Sequence, residues 1–263
     1  MFIKLKGGNE IIITLIILSL VAIIANAQEL TGNEILEKIK GKFSLAGSGT
    51  ASINLIMENK KGQQRFNTIK IYRKTSEKIE KQLIEYLEPA EVKGTKFLSI
   101  IEKGKEAMMW LYLPALGRER RIAAHAKKKS FMGTDFTYEE IGGGKSYEEK
   151  YEAKRLKDKV FQNYPCYVLK LYPKEKEVEY TYLKMWVWKE EFFPLRIEFY
   201  KEEGKLSKVL TNSDLRKEKD KYMSYKIVMA DVIKGSKTII KILENKEEEP
   251  SDDYFTLRYL RRG

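Results

Sequence analysis

The sequence predicts a mainly β protein with a few helices, built as one open antiparallel sheet wrapped around an apolar, lipid-sized cavity. Three observations predict it. Beyond residue 50, apolar residues recur at alternate positions in short runs, the period of a strand with distinct faces. Short turns holding Gly and Lys separate the runs, so consecutive strands pair as a meander. The strand–helix alternation that builds parallel sheets is absent from the pattern.

The chain begins with Lys4 and Lys6, then an apolar run of 15 residues from Ile11 to Ala25, broken by Thr14 and Ser19. Ala25-Asn26-Ala27 is a small-x-small exit, and the whole reads as a secretory signal peptide cleaved after Ala27. The alternative is a retained anchor, for which the run is short against the roughly 20 residues a span needs. Residues 28–263 read as one domain, because strand patterning continues on both sides of a central loop and no Pro- or Ser-rich linker intervenes.

Thr31 and Glu34 form a capping-box pattern, and Ile35, Leu36 and Ile39 share a helical face, predicting a short helix that ends near Gly41. Ala51, Ile53, Leu55 and Met57 then alternate, and Ile69 and Ile71 answer them across Lys60-Lys61-Gly62, predicting a hairpin. A second hairpin joins Lys96–Glu102 to Ala107–Leu113 around Lys103-Gly104-Lys105; both runs are apolar on two faces, so both faces should be covered. Residues 114–151 read as a long irregular stretch with a short helix at 138–141 and the run Gly142-Gly143-Gly144, either a hinge or an ordinary surface loop. Strands resume at 167–172, 180–188, 195–199 and 206–210, and a last pair, 225–233 and 238–243, joins across Lys234-Gly235-Ser236. The tail from Asp252 reads as a final strand or a docking segment.

The net charge is +12; residues 1–27 carry Lys4, Lys6 and Glu10, so the remainder keeps +11. Export argues against nucleic acid as the partner, and the interspersed Lys and Glu describe a solvated surface. The densest basic cluster is Arg118, Arg120, Arg121, Lys127, Lys128 and Lys129, either a solvated loop or a contact for anionic lipid head groups. Cys166 is the only cysteine, which excludes an internal disulfide and fits a small buried apolar residue.

Residues that carry chemistry are sparse. His125 is the only histidine, and a metal site needs several ligands at defined spacing. There is no G-x-S-x-G elbow, and a Ser130–His125 pair would lack an orienting third group. Glu139-Glu140 reads as a solvated helix start and Asp135 as a turn or cap acceptor. The expectation is therefore no catalytic residue, no metal and no cofactor. Apolar surface remains, with Met at 57, 108, 109, 132, 185, 223 and 229 suited to an adaptable cavity or to an ordinary core. By alternation, the predicted cavity residues are Leu55, Met57, Ile71, Met109, Leu111, Leu183, Met185, Ile197 and Met229.

Met109-Trp110-Leu111-Tyr112-Leu113-Pro114 with Arg118 to Ile122, the stretch Ser130 to Glu140, and the tail Phe255-Thr256-x-Arg258-x-Leu260 resemble the LolA-like outer-membrane lipoprotein-sorting family, in its longer branch. The resemblance covers nearly the whole chain after residue 27. It implies an incomplete antiparallel β-barrel with helices covering its mouth. It also implies a periplasmic, non-catalytic carrier or binder of lipid or lipoprotein acyl chains, working with an inner-membrane transporter or another envelope protein. The rivals are a related envelope-stress sensing module that binds lipid or peptide and partners a membrane regulator, and a lipid-directed envelope enzyme using Ser130.

Overall fold

A computed structural model describes residues 29–42, 47–175, 179–202 and 204–262. The predicted signal peptide lies outside the described residues. The strands are β1 (Gly49–Glu58), β2 (Gln64–Thr75), β3 (Ile79–Glu88), β4 (Lys96–Glu102), β5 (Met108–Leu113), β6 (Arg118–Arg121), β7 (Tyr151–Phe161), β8 (Tyr164–Pro173), β9 (Tyr182–Trp188), β10 (Phe193–Lys201), β11 (Lys205–Glu218), β12 (Lys221–Asp231) and β13 (Ser236–Lys246). The α-helices are α1 (Gly32–Lys38), α2 (Tyr138–Gly142), α3 (Tyr147–Lys150) and α4 (Leu257–Leu260).

All thirteen strands form one antiparallel sheet in the order β6-β5-β4-β3-β2-β1-β13-β12-β11-β10-β9-β8-β7. The sheet does not close, so the fold is an open antiparallel barrel with a few helices. Its two edges, β6 and β7, are consecutive in sequence. The residues between them, 122–150, must therefore travel from one edge of the sheet to the other.

Three strands differ from the alternation read in the sequence, where β3, β6 and β7 were not distinguished. β6 and β7 are edge strands; β6 is four residues long and reads Arg-Glu-Arg-Arg, and β7 carries Lys154, Lys157, Asp158 and Lys159. Charged edges resist pairing with another chain, so they lack an apolar alternation. β3 is obscured by Glu80, Lys81 and Glu85. Val232 and Ile233, read as strand residues, are exposed in the turn after β12, where Asp231 Oδ1 accepts the N–H groups of Ile233 and Lys234.

Helix α1 buries Ile35 and Leu36 and lies along the open edge at β7, where Asn33 Oδ1 accepts the Ala153 N–H at 2.8 Å. Only glycine fits at position 32, because a Cβ there would stand 2.2 Å from the Ala153 carbonyl oxygen.

The tail is a docking segment, not a strand. Phe255 and Leu260 pack with Tyr72, Leu83, Leu98 and Tyr112 on the outer face of β2–β5, and Tyr254 stacks on Tyr72 at 4.3 Å. Lys96, 3% exposed, donates to the carbonyls of Tyr259 and Arg262, so an ammonium satisfies the end of α4. Arg261 pairs with Glu119 of β6, and Asp252 with both Lys74 and Lys81.

Candidate functional site

Directly opposed residues in an antiparallel ladder share a face, so the register decides where the predicted cavity residues point. Leu111, Phe97, Ile84, Ile71 and Ala51 are successive cross-strand partners from β5 to β1. Met57, Thr238, Met229, Leu210, Ile197 and Met185 continue the same face to β9. With Leu55, Met109 and Leu183 at alternate positions on these strands, all nine predicted residues lie on one face, the inner one, and all are at most 8% exposed.

The connection from β6 to β7 covers this inner face over β1–β5 and β13. Phe131 packs edge-on against Phe97 at 5.1 Å and against Tyr138 at 5.3 Å, and Met132 and Ile141 join the same cluster. The segment 130–142 is also internally braced. Ser130 and Thr137 form a bridge, Ser130 Oγ donates to the Thr134 carbonyl, and Thr137 and Glu140 make a reciprocal capping box at the start of α2. Ser130 thus uses its hydroxyl proton inside the loop. The segment behaves as a folded plug.

Polar contacts fix the plug at both ends. At its start, the Asp135 carboxylate accepts the hydroxyls of Ser236 at 2.5 Å and Thr238 at 2.7 Å, while the Asp135 N–H donates to Thr238 Oγ1 at 2.8 Å. Lys208 of β11, 6% exposed, donates to the Asp135 carbonyl at 2.8 Å and lies 3.8 Å from Glu140. Burial pushes the Glu140 carboxyl above its ordinary range, and Lys208 pulls the other way. At its end, Gln82 Nε2 donates to the Ile141 carbonyl at 2.9 Å and Ser99 Oγ to the Gly142 carbonyl at 2.6 Å. Asp135, expected as a local turn or cap acceptor, instead holds the plug to β13. Thr238 is fully buried, so Thr238→Val strands Asp135 Oδ2 and the Asp135 N–H. It should cost about 1–3 kcal/mol, measured by urea unfolding, with Ser236→Ala costing less because Ser236 is only half-buried.

The glycine run follows directly. Gly143 has φ of +80°, and a Cβ there would stand 2.7 Å from Ile101 Cδ1. A side chain at this position would be strained in both backbone and packing, so the plug leaves the sheet through a residue that only glycine serves well.

Two cavities flank the plug. One, of about 160 Å³, lies beside Asp135 and is polar: Lys201 pairs with Glu179 at 2.8 Å and Lys234 with Asp231 at 3.1 Å across it. The other, of about 320 Å³, sits at the β5–β6 edge against Ala107, Met108, Ile122, Ala123 and Ala124, with Arg121 and Lys127 at its rim. The predicted head-group residues are spread over three places. Arg118 and Arg120 oppose Leu113 and Leu111 on the inner face, and Arg121 opposes Trp110 on the outer face. Lys127 pairs with Glu106 at 3.1 Å, Lys128 lines the smaller cavity, and Lys129 is exposed. His125 sits in an exposed 3-10 turn, and among the described residues no group of His, Cys, Asp and Glu is arranged to hold a metal. Cys166 is buried and fully packed, and burial pushes its thiol up to about 11.

A family model described as "Uncharacterized protein" matches residues 78–262. No curated protein matches the chain. Among solved structures, the chain is similar to an outer membrane lipoprotein-sorting protein domain from Vibrio parahaemolyticus, at 28% identity and a TM-score of 0.79, covering 88% of this chain and 98% of that one. It is similar to a DUF1329 family protein from Desulfovibrio piger, at 26% identity and a TM-score of 0.75, covering 86% and 94%. A LolA superfamily protein from Nitrosomonas europaea shares the fold, at 19% identity and a TM-score of 0.68, covering 88% and 100%. Since the family model spans well over half of the sequence, the chain belongs to that family, and its open barrel has the fold of the lipoprotein-sorting domain and the LolA superfamily protein.

Proposed function

We propose that this protein is an exported, non-catalytic carrier that shields the alkyl chains of a lipid or acylated lipoprotein in the periplasm, and that the inner face of the barrel is its binding surface. Residues 1–27 are the export signal and residues 28–263 the working body. The observation that supports this most directly is how the inner face is covered. An ordinary β-sandwich buries such a face under a second sheet with its own hydrogen-bonded ladder. Here, over β1–β5, a loop-and-helix segment does so, attached by a handful of side-chain contacts and a glycine run.

An alkyl chain gains about 0.8 kcal/mol for each methylene it buries, so a chain of ten or more carbons outweighs the docking of a few plug side chains. Cargo therefore replaces Phe131, Tyr138 and Ile141 on Phe97, Met109 and Ile84, and the plug closes again when cargo leaves. The nine inner-face residues are the cargo contacts, and Arg118 and Arg120, on the same face at the β6 edge, meet the head groups of the membrane surface.

Native mass spectrometry of protein purified from its own envelope tests the proposal. The expected result is an added mass of one lipid or acyl peptide, displaced by a fluorescent fatty-acid probe. Protein that carries no added mass and takes up no probe would end the carrier reading.

A further inference from the structure

One buried charged side chain on the inner face keeps donors that the fold does not satisfy. Arg73 continues the apolar register of Ile69 and Ile71 on β2 and is 6% exposed. Its Nη2 donates to Asn245 Oδ1 at 3.2 Å, and its Nε and Nη1 have no partner. Among the described residues no carboxylate pairs with it; Asn245 stands between it and Glu218, whose Oε2 accepts from Asn245 Nδ2 at 2.9 Å. Burial alone lowers the Arg73 guanidinium to about 10, so it stays charged at neutral pH.

Its neighbours on the inner face supply no anion. The cross-strand row through Arg73 reads Gly49, Arg73, Gln82, Ser99. Gly49 contributes no side chain, and a Cβ there would stand 3.5 Å from Arg73 Nη2. Gln82 and Ser99 are engaged with the end of the plug. The next row is Ala51, Ile71, Ile84 and Phe97, wholly apolar. A buried guanidinium keeps unmet donors only at a cost, and an oxyanion can meet one of them in a two-pronged pair with Nη2.

We propose that Arg73 anchors the head of the cargo, and that the preferred cargo is a single-chain amphiphile ending in an oxyanion, a carboxylate or a phosphate. Its head takes one fork of Arg73, Nε or Nη1 together with the second Nη2 proton, and its tail runs along Ile71, Ile84 and Phe97 in the space the plug vacates. This rests on the carrier reading and narrows it, because it sets acids and phosphates above uncharged acyl groups.

The test is isothermal titration of the delipidated full-length mature protein at pH 7.5 with laurate, dodecyl phosphate, dodecanol and inorganic phosphate. Wild type should bind laurate and dodecyl phosphate roughly ten- to a hundredfold more tightly than dodecanol, the range of a charge-assisted hydrogen-bonded pair. Arg73→Gln should erase that preference and leave dodecanol affinity unchanged, with Arg73→Lys retaining part of it. Equal wild-type affinity for laurate and dodecanol overturns the anchor while leaving the carrier reading intact, and needs no variant to fold. Tight binding of inorganic phosphate lost in Arg73→Gln, with no gain from the alkyl chain, overturns the amphiphile. Failure of all three alkyl compounds to bind overturns the carrier reading itself.

Discussion

Phe131→Ala should free the plug while the sheet stays folded. Phe131 is 1% exposed, and its ring meets both Phe97 of β4 and Tyr138 of α2. Truncating a buried Phe removes about 3–5 kcal/mol of packing, a large share of the docking free energy, since each polar contact of the plug supplies only about 0.5–1.5 kcal/mol net. The loss therefore falls on the docked-to-undocked equilibrium of residues 130–142. Hydrogen exchange should accelerate across that segment and remain slow in β3 to β5, and uptake of a fluorescent fatty-acid probe should quicken at least about tenfold. Phe97→Ala deletes the same contact from the sheet side. It should cost a similar amount but lower protection throughout the barrel, because Phe97 also packs with Ile84, Leu111 and Met109. Uniform loss of protection in Phe131→Ala would mean that the plug is an inseparable part of the core.

Ending the chain after Pro250 should be the most damaging change outside the inner face. It uncovers Tyr72, Leu83, Leu98 and Tyr112 and removes Phe255 and Leu260, which are 4% and 0% exposed. Burying two such side chains contributes about 3–6 kcal/mol, so Tm should fall by roughly 10 °C or more, read by circular dichroism. Acid should loosen the same tail in the full-length protein. Lys74 and Lys81 hold the Asp252 carboxyl at about 2 against an ordinary 3.8, and Arg261 holds Glu119 at about 2 against 4.5. Both are depressed in the folded state, so their contribution is complete above about pH 4.5 and disappears as pH falls toward 2. Each pair keeps an exposed partner and contributes little, so the tail loosens without the barrel unfolding. Proteolysis at 251–262 should rise between pH 4.5 and 2. A tail equally resistant at both ends of that range would show that its apolar contacts alone retain it.

Much of the barrel is legible in the sequence because strand patterning reports burial on each face. Leu183-x-Met185 and Leu55-x-Met57 place their apolar residues inward, and the register puts all nine such choices on one side. The double-sided runs at 96–102 and 107–113 are also explained, since the plug covers Phe97 and Met109 while the tail covers Leu98 and Tyr112. β6 and β7 escape that reading because charged edges carry no apolar period. The polar fastening of the plug escapes it for another reason: Asp135 meets Thr238 across 103 residues of sequence, and only the assembled sheet brings them together. Lys208 and Arg73 did leave a sign. Each occupies an inward position in an otherwise apolar register, between Leu206 and Leu210 or after Ile69 and Ile71. A cation in that place needs an oxygen to answer it; for Lys208 the answer is the plug.

The order of the strands has a mechanical corollary. Because β6 and β7 are the two free margins and one stretch of chain is sewn to both, that stretch cannot drift away when it lifts. Lifting it also slackens or tightens the span between the margins, so how wide the barrel gapes and whether its interior is occupied are two readings of one coordinate.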